Sequence, residues 1–287
     1  RAGYDLAIAA GLRLDGAREL LGEFFGNPAH DRDRTCFALN ATAGLNMIIQ
    51  GVCREGDHVV STRLEHNSVL RPLFELERSG RITHDLVPAD GDGFVDPEDI
   101  ARAIGPDTRL VIVNHGSNVL GTIQDAAAIG RVCREKGVLF ALDTAQTAGV
   151  IPIDMAAWQV DLLAFTGHKS LLGPTGTGGM VVGPDVPLRA TRWGGTGVRS
   201  AMRTHLDTFP YLGEAGTANT VGIVGLARGV AWVREQSLAR TYAHEMELKA
   251  LLVDGLREIP GVTLHGAGTG ARHLPVVCAS VAGFDSP

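Results

Sequence analysis

Short runs of apolar residues alternate along the chain with longer stretches whose apolar positions recur every three or four residues. The runs Thr35–Asn40 (TCFALN), His58–Thr62 (HVVST), Ile82–Pro88 (ITHDLVP), Arg109–His115 (RLVIVNH), Val138–Asp143 (VLFALD), Leu162–Thr166 (LLAFT) and Gly179–Val182 (GMVV) predict strands. The stretches Tyr4–Phe25, Ala43–Cys53, Ser68–Ser79, Pro97–Ile104 and Asp125–Lys136 predict amphipathic helices between them. Strands rich in Val, Ile and Leu, separated by helices, imply an α/β fold: a mostly parallel sheet with helices on both faces. In such sheets ligands bind beyond the carboxyl ends of the strands.

After Gly183 the pattern changes. Arg192–Ser200 (RWGGTGVRS) is a loop by its glycines. Helices are expected near Thr220–Glu235 and Leu238–Glu258, then short strands at Val262–His265 and Leu274–Val281. Residues 1–235 therefore read as a large domain. Residues 236–287 read as the beginning of a smaller C-terminal α+β domain that the chain does not finish. The chain starts at Arg1 without a methionine and stops just after a strand-like run, so a fragment lacking both termini is expected.

Composition narrows the function classes. With 45% hydrophobic and 20% charged residues, the chain fits a soluble globular protein. The net charge of −6, from 26 basic and 32 acidic residues without a basic block, argues against nucleic acid or an anionic membrane as partner. No apolar run reaches the ~18 residues of a membrane span, and no signal peptide is visible. Cys36, Cys53, Cys133 and Cys278 are widely spaced with no CxxC pair. Neither a disulfide framework nor a metal site is suggested, and a reducing, cytoplasmic setting is expected.

One lysine stands out. Lys169 lies between the apolar run Leu162–Phe165 and a segment rich in glycine, in "LLAFTGHKSLLGPTGTGG". A lysine enclosed by apolar residues loses its proton readily or forms a covalent bond, and a bond to an aldehyde cofactor would use that property. Pyridoxal 5'-phosphate makes further demands. Its ring nitrogen wants a carboxylate, and Asp143 ends an apolar strand. Gln146, three residues on, could reach the phenolic oxygen. Its phosphate wants amides at a helix start plus a hydroxyl, and Asn40, Ala41 and Thr42 stand between a strand and a helix. Its ring face wants a flat partner, and His66 follows a strand. Each residue alone has a plainer reading: Lys169 in a loop, Asp143 as a helix cap, Thr42 as an ordinary first-turn residue, His66 as a cap or core histidine, His168 bonded to backbone. What favours the chemistry is that all of them fall at strand ends, each filling a different requirement.

The segments NATAGLN (40–46), EHNSVLRPL (65–73), NHGSNVLGTI (114–123), LDTAQTAGVIPID (142–154), DLLAFTGHKSLLGPTGTGG (161–179), GGTG (194–197) and EAGTANT (214–220) together resemble the class V aminotransferase family of PLP-dependent enzymes, in its cysteine desulfurase and selenocysteine lyase branch. The resemblance runs nearly the whole chain and implies the type I fold of PLP-dependent transferases. It implies that Lys169 binds the cofactor covalently, Asp143 pairs with the ring nitrogen, and Gln146 meets the phenolic oxygen. It implies that His66 stacks on the ring and moves protons, while Ala41, Thr42, Thr166 and His168 hold the phosphate. Asn118 would touch the substrate or the ring. Thr217 would reach the phosphate of a neighbouring subunit, making a homodimer part of the site. Lys169, His66 and Asp143 would be catalytic.

The implied activity removes sulfur from L-cysteine, giving alanine and an enzyme persulfide that a sulfur-acceptor protein could discharge. The alternatives are a selenocysteine lyase, a carbon–sulfur lyase, an aminotransferase, or a non-catalytic truncated module. The sequence departs from the family at Ala43, where many members carry glutamate. None of the four cysteines matches the family's sulfur-accepting loop. That cysteine, and the arginine that grips the substrate carboxylate, are expected beyond Pro287.

Overall fold

The computed structural model describes residues 4–285. Seven strands form one sheet: β1 (Thr35–Ala38), β2 (Asp57–Thr62), β3 (Ile82–Val87), β4 (Thr108–Asn114), β5 (Leu139–Asp143), β6 (Leu162–Thr166) and β7 (Gly178–Val182), in the order β1-β7-β6-β5-β4-β2-β3. β3, β2, β4, β5 and β6 run parallel. β7 is antiparallel to both β6 and β1, and this reversal was not foreseen in the sequence pattern.

The apolar strands are continuous because both of their faces are covered. In β4, Leu110 and Ile112 pack into one apolar cluster with Leu45, Ile48, Val69 and Leu73 from α2 (Ala41–Val52) and α3 (Asn67–Arg78). The alternate residues Val111 and Val113 enter a second cluster on the opposite face. There they meet Leu21 of α1 (Asp5–Phe24), Ile100 of α4 (Pro97–Ala103), Ile129 of α5 (Ala126–Lys136) and Leu226 of α6 (Thr220–Gln236). α2 lies very close to the sheet. A Cβ at Gly44 would stand 2.5 Å from the carbonyl oxygen of Gly179, so only glycine allows this approach.

α7 (Leu238–Arg257) precedes a separate antiparallel pair, β8 (Val262–His265) and β9 (Cys278–Val281). The expected strand Leu274–Val281 is shorter than its apolar pattern. Its first residues are taken by another part of the molecule: Leu274 N–H donates to Gly121 O at 2.6 Å, and Ile123 N–H donates to Arg272 O at 2.8 Å. Arg272–Leu274 thus straps the loop that carries Asn118. Among the described residues, no helix is long and apolar enough to cross a membrane, and no cluster of His, Cys, Asp and Glu could hold a metal ion.

Candidate active site

The carboxyl ends of the parallel strands converge on one cavity of about 340 Å³. It is lined by Asn40, Ala41, Thr42, His66, Ser68, Asn114, Asn118, Asp143, Ala145, Gln146, Thr166, His168 and Lys169. β1 delivers the first three, β2 the histidine, β4 the asparagines, β5 the carboxylate and β6 the lysine. A larger cavity of about 690 Å³ lies under α1 at Glu19, Gly26 and Asp154, with no lysine among its lining residues.

Asp143 is 2% exposed and accepts a hydrogen bond from the Ala145 amide at 2.9 Å. Burial pushes its carboxyl above the usual range, opposed by that amide, by Lys169 and by His66. Lys169 differs from the expectation that the chain encloses it. The residue as a whole is exposed, because the chain leaves the sheet after Thr166 and curls. Leu172 N–H donates to Lys169 O, and Leu172, an apolar neighbour thought to bury the lysine, is itself 54% exposed. The ammonium is still lowered by partial desolvation, with Asp143 pulling the other way.

At the start of α2, Asn40 caps the helix by accepting from the Ala43 amide at 3.0 Å. The earlier amides of Ala41 and Thr42 point out of the helix end, as first-turn amides must, and provide an anion cradle. Ala43 contributes its amide to this cap, so the absent glutamate side chain leaves the cap intact. His66 is itself a cap, of α3: Nδ1 accepts from the Ser68 amide at 3.1 Å. The capping reading of His66 therefore holds, and the cap fixes the ring at the cavity. Thr166 Oγ1 and His168 Nδ1 are 3.1 Å apart.

Two groups escaped the sequence reading. Ser68, 6% exposed, sits with its hydroxyl 2.7 Å from Nδ1 of His66 and 2.7 Å from Oγ1 of Thr42. Glu65 is buried below the cavity, where it accepts from Thr62 Oγ1 at 2.7 Å and from the Asn114 amide at 2.9 Å. Burial raises its carboxyl to about 8 against those two hydrogen bonds, and Asp143 adds to the rise. Glu65 is thus protonated at neutral pH and ties the end of β2 to the end of β4. The signal for it was an acid directly before a strand-end histidine.

Thr217 does not join the cavity. It lines a different, smaller one with Leu39, Gly176, Arg192 and Glu214. Its loop is anchored by Glu214, which accepts from both terminal nitrogens of buried Arg18 at 2.5 and 2.7 Å and from the Phe37 amide at 2.6 Å. The cysteines are free, and Cys36, Cys53 and Cys133 are buried. Burial raises all three thiols, those of Cys53 and Cys133 to about 12, so they are protonated. None of the four lines the cavity.

The residues fit pyridoxal 5'-phosphate. A nearly buried carboxylate borders the cavity without an ion pair within 4 Å among the described residues, and a protonated ring nitrogen would supply one. An amine stands in the same cavity, and a helix start with a hydroxyl offers donors to an anion.

This sheet with its strand-end lysine and carboxylate has the architecture of solved cysteine desulfurases. The apo cysteine desulfurase of Thermococcus onnurineus NA1 superposes with a TM-score of 0.88 at 28% identity, over 99% of this chain and 72% of that one. A NifS-like protein gives 0.85 at 28% identity, over 98% and 73%. The aminotransferase class-V family model matches residues 1–287, and the chain belongs to that family. It is 35% identical to a probable cysteine desulfurase of Methanothermobacter thermautotrophicus over 93% of this chain and 67% of that protein. It is 34% identical to the cysteine desulfurase IscS of Vibrio campbellii, over 88% and 60%. The chain thus spans about three-fifths to two-thirds of the length of these relatives.

Proposed function

We propose that this chain is the cofactor-binding part of a pyridoxal-phosphate-dependent cysteine desulfurase that acts on L-cysteine. The observation that carries the reading is the meeting of Lys169 and Asp143 in one polar cavity at the strand ends. When bound, the cofactor supplies an electron sink for the bonds at an amino acid's Cα. Lys169 would hold it covalently and would move the proton at the substrate's Cα; its lowered proton affinity suits both tasks. Asp143 keeps a proton on the ring nitrogen. Gln146 donates to the phenolic oxygen, and His66 stacks on the ring and handles protons beside Lys169. The Ala41 amide, Thr42, Thr166 and His168 hold the phosphate, and Asn118 orients the substrate.

Sulfur would leave when a cysteine thiolate attacks the substrate sulfur: the sulfur–sulfur bond forms as the carbon–sulfur bond breaks, the electron pair of that bond stays with the substrate carbon and takes up a proton, and alanine and a persulfide result. Since no thiol among the described residues lines the cavity, that cysteine is assigned to a segment outside residues 4–285. A sulfur-acceptor protein then discharges it. The free cysteines fit a reducing, cytoplasmic setting. The chain divides near residue 235 into the cofactor domain and the start of a second. Thr217, held away from its own cavity by the Arg18–Glu214 pair, serves the site of a second copy in a homodimer.

The reading is tested by adding pyridoxal 5'-phosphate and reducing with borohydride. A visible absorbance band that borohydride abolishes, with the pyridoxyl group mapped to Lys169, is expected. A label on Lys249 or Lys136 sinks the assignment, and a chain that never takes up cofactor is a non-catalytic module. Alanine from L-cysteine, measured on the full-length parent, separates a desulfurase from an aminotransferase. The dimer is tested by mixing Lys169→Ala and Thr217→Ala parents under subunit exchange. Partial recovery of activity is expected, and none in confirmed heterodimers places Thr217 in its own subunit's site.

A further inference from the structure

Ser68 stands between the two halves of the cavity. Its hydroxyl is 2.7 Å from Thr42 Oγ1 at the anion cradle and 2.7 Å from Nδ1 of His66. Its backbone amide donates separately to the same Nδ1 at 3.1 Å. The three groups Thr42, Ser68 and His66 form a chain with two hydroxyl protons to share.

Counting those protons fixes how the chain can run. Nδ1 accepts from the Ser68 amide, so it carries a lone pair and not a proton. In the empty cradle the Ser68 hydroxyl is free to donate to that lone pair, and the Thr42 hydroxyl donates to Ser68. An ionised phosphate oxygen only accepts, so one seated at Thr42 claims the Thr42 proton; the titration is run at a pH where the dianion dominates. Thr42 and Ser68 would then face each other as bare oxygens at 2.7 Å, which is repulsive unless a proton lies between them. Two protons then serve three contacts, and Nδ1 is the group that can give up a donor because the Ser68 amide still serves it, so the Ser68 proton turns to Thr42 and the Oγ–Nδ1 contact lengthens. Nδ1 is left with the amide alone.

We infer that Ser68 is a positioning residue that reports occupancy of the anion cradle at Thr42 to the ring of His66, by giving its hydroxyl proton to Nδ1 when the cradle is empty and to Thr42 when it is filled. The inference rests on the reading that Thr42 holds a phosphate. Its value to the reaction is order: the ring nitrogen sheds a donor only after the phosphate is seated, so the histidine is tuned for use in the loaded site and not before. The amide bond keeps the ring in place throughout, so the movement is confined to the Ser68 hydroxyl.

The test is made on the cofactor-free chain with ¹⁵N-labelled histidine, titrated with inorganic phosphate and followed at Nδ1 of His66 by NMR. Phosphate binding is measured in parallel by calorimetry. In the parent chain Nδ1 is expected to shift with the same half-saturation as binding. Ser68→Thr keeps the hydroxyl and should keep the response. Ser68→Ala keeps the amide cap, should bind phosphate within about threefold of the parent, and should lose at least half of the Nδ1 shift. A Ser68→Ala response equal to the parent's, or a parent that binds phosphate without a shift, overturns the relay alone. A parent in which phosphate does not bind overturns the cradle reading and the relay together.

Discussion

Two lysines in this chain have ammonium groups lowered by desolvation, and they sit in opposite settings. Lys249 of α7 is 3% exposed, with Nζ donating to Gly268 O at 2.6 Å and to Leu274 O at 2.9 Å. Tyr242, two turns earlier on the same face of α7, donates to His273 O at 2.6 Å. Together they fasten the strap that runs past the Asn118 loop. Lys169 is exposed as a whole, faces a polar cavity and shares it with one buried carboxylate. The comparison separates burial from reactivity. An amine whose donors are spent on carbonyls is a structural fastener, however deep it lies. An amine beside a carboxylate that awaits a partner is available for chemistry, however exposed it is.

The largest effect that tests this contrast is on turnover. Lys169→Ala should abolish it, by ~10³-fold or more, since the group lost is the covalent anchor itself. Its thermal midpoint should match the parent's; a marked fall would make Lys169 structural after all. Asp143→Asn comes next. It removes a charge-assisted interaction of about 1.5–3 kcal/mol and should slow catalysis at least ~10-fold while the cofactor still binds in part. Parent-like turnover in that variant would refute the role.

Lys249→Met should do the reverse of Lys169→Ala. Leaving two buried carbonyls unpaired should lower unfolding stability by about 1–3 kcal/mol, read from urea midpoints, while cofactor is still anchored at Lys169. Unchanged stability would show that the strap does not depend on this lysine.

The last test concerns Glu65 and depends on pH. The unfolded chain releases this proton near 4.5 and the folded chain only near 8. Between those values the folded state holds a proton that the unfolded state has lost. Stability is therefore full below about 4.5 and falls as pH rises to 8, by about 1.4 kcal/mol per pH unit. Glu65→Gln mimics the protonated carboxyl, so it should match the parent near pH 4.5 and gain on it steadily toward pH 8. Parallel stability profiles would mean that Glu65 is ionised in the folded chain.

The strands were legible because a strand buried on both faces is apolar at every position, as Leu110–Val113 and Leu162–Phe165 are. The residues at their ends were legible because polar groups there interrupt such runs. The direction of β7 was not, since GMVV carries no mark of whether its neighbour runs with or against it. Lys169 was singled out for a reason that was partly wrong: the apolar residues around it bury themselves on β6 or, like Leu171, in the core beside it, while Leu172 stays outside. Ser68 and Glu65 were passed over because their meaning lies in partners far along the chain, Thr42 and Asn114, which only the fold brings near. The shortened final strand was missed for the same reason, as Leu274 is claimed by Gly121.

The pairing of β1 with β7 has a consequence for how the molecule comes into being. Cys36 pairs with Met180, and Gly44 at the start of α2 rests on the backbone of Gly179. The anion cradle is encoded among the first residues of the domain, yet the surface that supports it emerges from the ribosome only after every parallel strand has been made. Such distant pairing is slow to close. A nascent chain halted before Gly178 is expected to fold its parallel strands without gaining affinity for phosphate, which stalled-ribosome binding assays can read. On the proposed reading, affinity for phosphate would then mark the moment when β1 has docked on β7 and the sheet is complete.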